Sequence, residues 1–386
     1  VAGQYMGSQL SFSGQAEYEG GSVKVKETQV DDIHGFISFT DAEALLSADA
    51  EAAGQQAHVN GKVRYDTGAP YLDLHVASDS FDPSKVLKDI PYEGAAAVKA
   101  HVTGTAADPV ADGTVRVASG TAAGIPFANA RAHVRYEDGR VSLQDVAVNA
   151  FGGTARGEGV FSPADLTYTA HLAASDIDVQ QAAAYVPELA DLTGRISCNM
   201  GISGKGSDTS DLQAYGSAEL KNGSYKDLPI ESLAASFFAQ GKDITIDYAS
   251  LNLPHRSTLG IEGKVKDGSS LDLAFYGGHV DLSLVRTLIP EADVTGFGDF
   301  EGTVQGDITD PAVNFKFTAM NGSLFKQPYD SLKFNAGGSL DGVTIEEFSL
   351  VKDGKQTWYV DGSVGLTGER RIDLSLIHIS EPTRRR

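Results

Sequence analysis

Residues 313–319 read VNFKFTA, so apolar and polar side chains alternate along this segment. Successive side chains of a β-strand point to opposite faces of the sheet, and the alternation therefore predicts a strand with one apolar face and one polar face. The same pattern recurs at 72–77, 244–249 and 271–276. Strands of this kind are typical of an antiparallel sheet with one face in water, so we predict an all-β protein.

Nine of the 43 glycines follow an aspartate or an asparagine. These pairs tolerate positive φ and favour the tight turns that join hairpin strands. The Asn-Gly pairs at 222–223 and 321–322 also match a glycosylation sequon, but we interpret them as turns. The pair at 361–362 lies inside an apparent strand, where we predict a β-bulge.

The chain also repeats itself with a period of roughly 100 residues. Three segments share the order strand, capping aspartate, short helix and closing proline, namely 72–91, 166–187 and 271–290. The predicted N-caps are Asp82, Asp178 and Asp281, and the closing prolines are Pro91, Pro187 and Pro290. A glycine-led strand follows each proline, so we interpret the pattern as internal duplication.

This period divides the chain into a partial first repeat at 1–91, a second at 92–190, a third at 191–293 and a truncated fourth at 294–373. A repeat is predicted to contain about six strands and one short helix. In the last repeat the strands are expected near 296–308, 312–324, 330–340, 343–352, 356–366 and from 371. The predicted fold is a long, curled, antiparallel-type β-sheet that forms a groove.

Separate predictions can be made for the two ends of the chain. Residues 374–386 resemble a translated sequencing-adapter end, and we interpret them as an artefactual tail with no fold. The chain begins at Val1 without an initiating methionine or a leader, which predicts a fragment or a mature segment.

Composition excludes several classes of protein. The chain has 31 Lys and Arg against 52 Asp and Glu, a formal net charge of −21, so no nucleic-acid partner is expected. Cys198 is the single cysteine, which excludes an internal disulfide. No run of about 18 apolar residues occurs, so no membrane-spanning helix is predicted.

Motifs for catalysis or metal binding have little support in the sequence. None of the nine histidines forms an i, i+4 helical pair or neighbours Cys198, so no zinc site is predicted. His75 and His133 fall at polar strand positions and are interpreted as solvated side chains. We therefore predict a protein that is not an enzyme and that has no catalytic residues and no cofactor.

The apolar face of such a sheet has to be covered. One short helix for every six strands is too little to cover it. Two arrangements stay open: a closed sandwich or barrel that is filled by its own side chains, and a curled trough that leaves room for an apolar guest.

Residues 280–334 combine a short helix ending at Pro290, a strand with Thr-Gly, an Asn-Gly pair and a Pro-Tyr-Asp step before another strand. This order resembles the repeats of the TamB/AsmA-like family. The resemblance implies a taco-like sheet with an apolar interior, in the periplasm of a two-membrane bacterium. It also implies an inner-membrane anchor outside this sequence and transport of phospholipid between the two membranes.

We therefore predict a passive conduit whose partners are phospholipid acyl chains, which would lie against an apolar wall. The candidate wall residues are Ile244, Ile246, Leu271, Leu273, Phe275, Phe315, Phe317 and Phe334. One alternative is a scaffold or chaperone for outer-membrane barrel assembly with a TamA-like partner. A second alternative is a surface adhesin built from closed β-sandwiches.

Overall fold

The computed structural model describes residues 2–6, 9–25, 28–52, 54–65, 69–83, 92–122, 124–206, 209–367 and 371–378. Strands make up 78% of the structure and helices 6%, which confirms the predicted all-β class. The chain divides into two compact units. The first unit comprises Val1–Ile177 with Ser203–Gly206, and the second comprises Asp178–Ile202 with Ser207–Arg386.

The first unit is built from antiparallel strands. They are β1 (Ala2–Met6), β2 (Gln9–Glu19), β3 (Val23–Val25), β4 (Thr28–Thr40), β5 (Glu43–Ala52), β6 (Gln55–Arg64), β7 (Tyr71–Phe81), β8 (Tyr92–Glu93), β9 (Ala96–Thr105), β10 (Pro109–Ala122), β11 (Ile125–Glu137), β12 (Arg140–Ala150), β13 (Gly153–Ser162) and β14 (Thr167–Asp178). Most neighbours in sequence pair with each other, but β2 pairs with β4 and β7 pairs with β9. The helix predicted before Pro91 lies outside the described residues.

The second unit contains the described helices and the remaining strands. The strands are β15 (Leu192–Lys205), β16 (Gln213–Tyr225), β17 (Leu228–Gln240), β18 (Asp243–Leu253), β19 (Ser257–Lys266), β20 (Ser270–Asp281), β21 (Val294–Asp307), β22 (Ala312–Leu324), β23 (Gln327–Ser339), β24 (Gly342–Lys352), β25 (Lys355–Gly365) and β26 (Ile372–His378). The α-helices are α1 (Val179–Ala183) and α2 (Val285–Leu288), and 3-10 turns lie at Pro187–Leu189, Thr209–Asp211, Pro254–Arg256 and Leu282–Leu284.

Each strand from β16 to β25 pairs antiparallel with the next strand along the chain. The sheet of this unit is open and curled, as predicted. Six strands, β15 to β20, precede α2 and six more follow it, which confirms the predicted repeat of six strands and one short helix. The limits of the last six strands fall within three residues of those predicted, while the repeat boundaries themselves remain predictions.

Two of the predicted helix caps are present in the second unit. The side chain of Asp178 accepts a hydrogen bond from the backbone N–H of Gln180 at 3.0 Å at the start of α1. The side chain of Asp281 accepts one from the backbone N–H of Ser283 at 2.9 Å, at the start of the 3-10 turn that leads into α2. Each cap satisfies a backbone donor that the first helical turn leaves unpaired. Among the described residues, no helix is long and apolar enough to cross a membrane.

Two sequence expectations are wrong. The Asn-Gly pairs at 222–223 and 321–322 are not turns but lie inside β16 and β22. Asn321 has φ 52°, and the pairing of β22 with β21 slips by one residue there, because asparagine tolerates the left-handed region and so permits a bulge within the strand. The tail predicted to have no fold is also partly ordered, since residues 374–378 belong to β26 and pair with β25.

Candidate functional site

The eight predicted wall residues all lie on one face of the sheet in the second unit. Residues two apart on a strand share a face, as Leu271, Leu273 and Phe275 do on β20. Residues that are opposite each other on paired strands also share a face, and Phe317 of β22 is opposite Phe334 of β23. The register across β18 to β23 therefore brings the eight side chains together.

Four phenylalanines form the centre of this face. The ring of Phe315 stacks on Phe317 with the centroids 6.2 Å apart, lies 6.1 Å from the ring of Phe334, and stacks on Phe275 at 6.2 Å. Aromatic rings at these separations attract each other beyond the effect of burial alone. The predicted wall thus has a continuous aromatic patch that spans β20 to β23.

Two further phenylalanines belong to the same patch, and sequence reasoning missed both. Phe300 of β21 lies 5.8 Å from Phe315 and 6.1 Å from Phe275 between ring centroids. Phe348 of β24 lies 6.4 Å from Phe334. Phe300 is flanked at i−2 and i+2 by glycines, so its strand lacks the apolar alternation that would have revealed it.

Gly302 explains how rings from β20 and β22 meet although β21 runs between them. Gly302 is opposite Phe275 on one side and opposite Phe315 on the other. A Cβ atom placed on Gly302 would lie 2.3 Å from Cζ of Phe275, which is far inside van der Waals contact. The missing side chain leaves the space in which the two rings stack, so glycine is required here by close approach.

One end of the strands is closed by the short helical segments. Val179 at the start of α1 is buried against a cluster formed with residues of β16, β17 and β18, namely Leu220, Leu228, Ile230 and Leu253. Leu282, just before α2, is buried in a second cluster with Ala319, Tyr329, Leu332 and Leu350. These clusters form the hydrophobic core of the unit, and both lie at the same end of the antiparallel strands.

A buried polar group fixes the second helical segment. Asp281 is 8% exposed, and its carboxylate lies 2.5 Å from Nδ1 of His255 and accepts hydrogen bonds from the backbone and hydroxyl of Ser283. The backbone N–H of Asp281 donates to Oγ of Ser257 at 2.9 Å. Burial acts to raise the pKa of Asp281, but the hydrogen bonds from Ser283 and His255 outweigh it and hold that pKa below its usual range.

Away from the closed end, the apolar face is not fully covered. None of the eight predicted wall residues is fully buried, and Ile244, near the opposite strand ends, is 40% exposed. Three rows of cross-strand neighbours run over this part of the face from β17 to β25, and a fourth row runs from β17 to β21. They contain only Gly, Ala, Val, Leu, Ile and Phe. The face therefore offers apolar contact and no hydrogen-bonding side chain.

The opposite face of the same strands is polar and carries charges. Lys316 lies 3.3 Å from Glu301 across β21 and β22. The side-chain amide of Gln305 donates a hydrogen bond to the carboxylate of Asp272 across β20 and β21 at 3.1 Å. The two faces thus differ sharply in chemistry, as the alternation in sequence predicts.

Comparison with family models, with curated proteins and with solved structures gives no match to this chain. The resemblance to the TamB/AsmA-like family therefore stays a prediction, and the function has to be argued from the apolar face.

Proposed function

We propose that the second unit binds phospholipid acyl chains along its apolar face and lets them move along it without catalysis. The observation that carries this proposal is the uninterrupted apolar surface from β17 to β25, which the helical segments cover at one end only. Half-exposed apolar surface of this extent normally marks a place where an apolar partner binds.

Acyl chains fit this surface better than polar ligands do. The backbone groups of the strands are used in the sheet ladders, and the four rows of side chains offer no donor or acceptor. A hydrocarbon chain gives up no hydrogen bonds when it binds to such a surface. Its binding is favoured by about 0.8 kcal/mol of free energy for each methylene removed from water. Because neighbouring rows have similar composition, an acyl chain would bind at neighbouring positions with similar affinity. This similarity favours movement along the face over tight binding at one position.

The wider setting of the proposal rests on the resemblance to the TamB/AsmA-like family. We place the chain in the periplasm, where a passive conduit between the inner and outer membranes requires no cofactor. The proposed partners in this setting are an anchor in the inner membrane and a barrel protein in the outer membrane.

The test is mass spectrometry of organic extracts from the purified chain and from two variants. Phe315→Asp places a carboxylate in the centre of the aromatic patch, whereas Asn314→Asp adds the same charge at the adjacent, exposed position of the opposite face. Removing one phenylalanine contact costs about 1.5–3 kcal/mol. Because each 1.4 kcal/mol is tenfold in affinity, we expect Phe315→Asp to lower bound phospholipid about tenfold or more.

The control and the native chain should retain equal amounts of lipid, with both variants folded by circular dichroism. Equal lipid content in the two variants would rule out this face as the binding wall. A chain that carries no lipid but crosslinks to outer-membrane barrel segments would replace the proposal with the scaffold alternative.

A further inference from the structure

The polar face of the first unit brings together one carboxylate and two imidazoles. Asp73 and His75 lie two residues apart on β7 and so share a face, and His101 of β9 is directly opposite His75. Among the residues that the structure describes, this is the group of His, Cys, Asp and Glu side chains whose geometry suits a metal ion. The three ligand atoms all lie within 4.8 Å of one another.

The contacts within the group are close. Nε2 of His101 lies 2.8 Å from Oδ1 of Asp73, and the rings of His75 and His101 stack with centroids 4.3 Å apart. The side chains of His101 and Asp73 are 43% and 36% exposed, so an ion could reach them from solvent. Lys62 lies nearby, with Nζ 3.7 Å from Oδ2 of Asp73.

Paired histidine and aspartate side chains are common on this face, but a third donor is not. His58 lies 2.9 Å from Asp49, and His133 lies 2.9 Å from Asp112. Neither pair belongs to a group of three that meets the metal geometry within the described ranges. The arrangement around His101 is therefore more than the ion pair that the other two sites also make.

We propose that Asp73, His75 and His101 bind a divalent transition-metal ion of the zinc type. Imidazole nitrogen and carboxylate oxygen are ordinary zinc ligands, and three protein ligands leave one position for water. Donor atoms bound to one tetrahedral zinc lie roughly 3.3 Å apart. Side-chain rotations that move the three ligand atoms by roughly 1 Å would therefore bring them to this spacing. Because the strands hold the three backbones in register, little ordering is needed on binding.

The bound ion would link β7 to β9, which flank the segment 82–95 in sequence. An ion that binds the folded state and not the unfolded state stabilises the fold in proportion to its concentration above the dissociation constant. A bound ion would thus stabilise the pairing of β7 with β9. This proposal does not rest on lipid binding by the second unit.

Zinc binding is measured by isothermal titration calorimetry with Zn²⁺ alone, on the full chain without a polyhistidine tag. We expect one saturable site in the native chain. Loss of a side chain that binds the ion directly should cost at least as much affinity as loss of a group that only hydrogen-bonds to such a side chain, so His75→Ala and His101→Ala should each weaken zinc affinity about tenfold or more. The matched control is His133→Ala, which removes a histidine from a similar pair with an aspartate.

Lys62→Met provides a second test, in which zinc affinity should increase and not decrease. Removing this ammonium group relieves its repulsion of a divalent cation, so zinc affinity should rise while the fold stays intact. The proposal is overturned if native protein shows no saturable site. Equal weakening by His133→Ala and His101→Ala would also overturn it, because zinc would then be binding to the acidic surface in general.

Discussion

Gly302 tests whether the aromatic patch is held together by the close approach of neighbouring strands. The perturbation is Gly302→Ala, the smallest change that adds a Cβ atom. That atom would lie 2.3 Å from Cζ of Phe275 and 2.4 Å from the backbone oxygen of Asn314. Ordinary contacts between such atoms are about 3.5–4.0 Å, so each neighbour would have to move by about 1 Å or more.

The size of the effect follows from which neighbour can move. The ring of Phe275 can turn at the expense of its stacking on Phe315, whereas the carbonyl of Asn314 belongs to a strand paired on both sides. Overpacking of this kind costs about 1–3 kcal/mol. At a urea dependence of about 2–3 kcal/mol per molar, the unfolding midpoint should fall by about 0.3–1.5 M.

Urea unfolding followed by circular dichroism measures the loss, and hydrogen exchange of backbone amides in β20 to β22 locates it. The matched control is Gly278→Ala on the neighbouring strand β20, where the nearest heavy atom to an added Cβ is the hydroxyl oxygen of Thr258 at 3.1 Å. That variant should remain within about 0.5 kcal/mol of the native chain. If Gly302→Ala is as stable as Gly278→Ala, the reasoning about the aromatic patch is refuted.

Two further predictions concern the closed end and the bulge in the second unit. Asp281→Asn should lower stability at pH 7 by about 1–2 kcal/mol, because the carboxylate accepts charge-assisted hydrogen bonds that the amide cannot fully replace. The pKa of Asp281 is lower in the folded state than in the unfolded state. The stability that its carboxylate contributes is therefore complete at pH values above the unfolded-state pKa of about 4, and is lost as the pH falls through the folded-state pKa. Urea midpoints of the native chain and the variant should therefore converge as the pH falls below about 4, and a difference that stays constant as the pH is lowered would contradict the prediction. Asn321→Val should cost roughly 1–2 kcal/mol because φ is 52°, a conformation that a β-branched residue tolerates poorly. Asn314→Val on the same strand lacks that strain, and equal thermal midpoints for the two variants would count against the assigned bulge.

The sequence alone predicts the faces of the sheet well because side-chain alternation has a local cause. Leu271, Leu273 and Phe275 need no tertiary information to be placed on one face, since the pleat of a single strand decides it. The register of pairing then extends that face from strand to strand. The capping aspartates were predictable for the same reason, because the hydrogen bond of Asp178 or Asp281 reaches a residue two positions along the chain.

Features that depend on pairing across strands could not be predicted. Phe300 lies between glycines, and its place in the aromatic patch depends on rings from the two neighbouring strands. The bulge at Asn321 has the same dipeptide as a hairpin turn, and only the pairing with β21 distinguishes the two. Asp73 and His101 are 28 residues apart in sequence, so no motif scan connects them.

The way in which the second unit covers its apolar face bears directly on the proposed function. The segments around α1 and α2 precede successive sets of six strands, and both pack at the same end of those strands. Each repeat therefore buries its core at that end and leaves the other end of the face half exposed, so the uncovered strip is continuous from one repeat to the next. A self-filled sandwich would require burial over the whole face, but Ile244 and the other predicted wall residues are not fully buried. The opposite polar face and the net charge of −21 oppose association of such chains, which makes a persistent apolar strip tolerable in water. An apolar strip that the fold leaves uncovered across both sets of six strands in the second unit is the property that lipid binding requires.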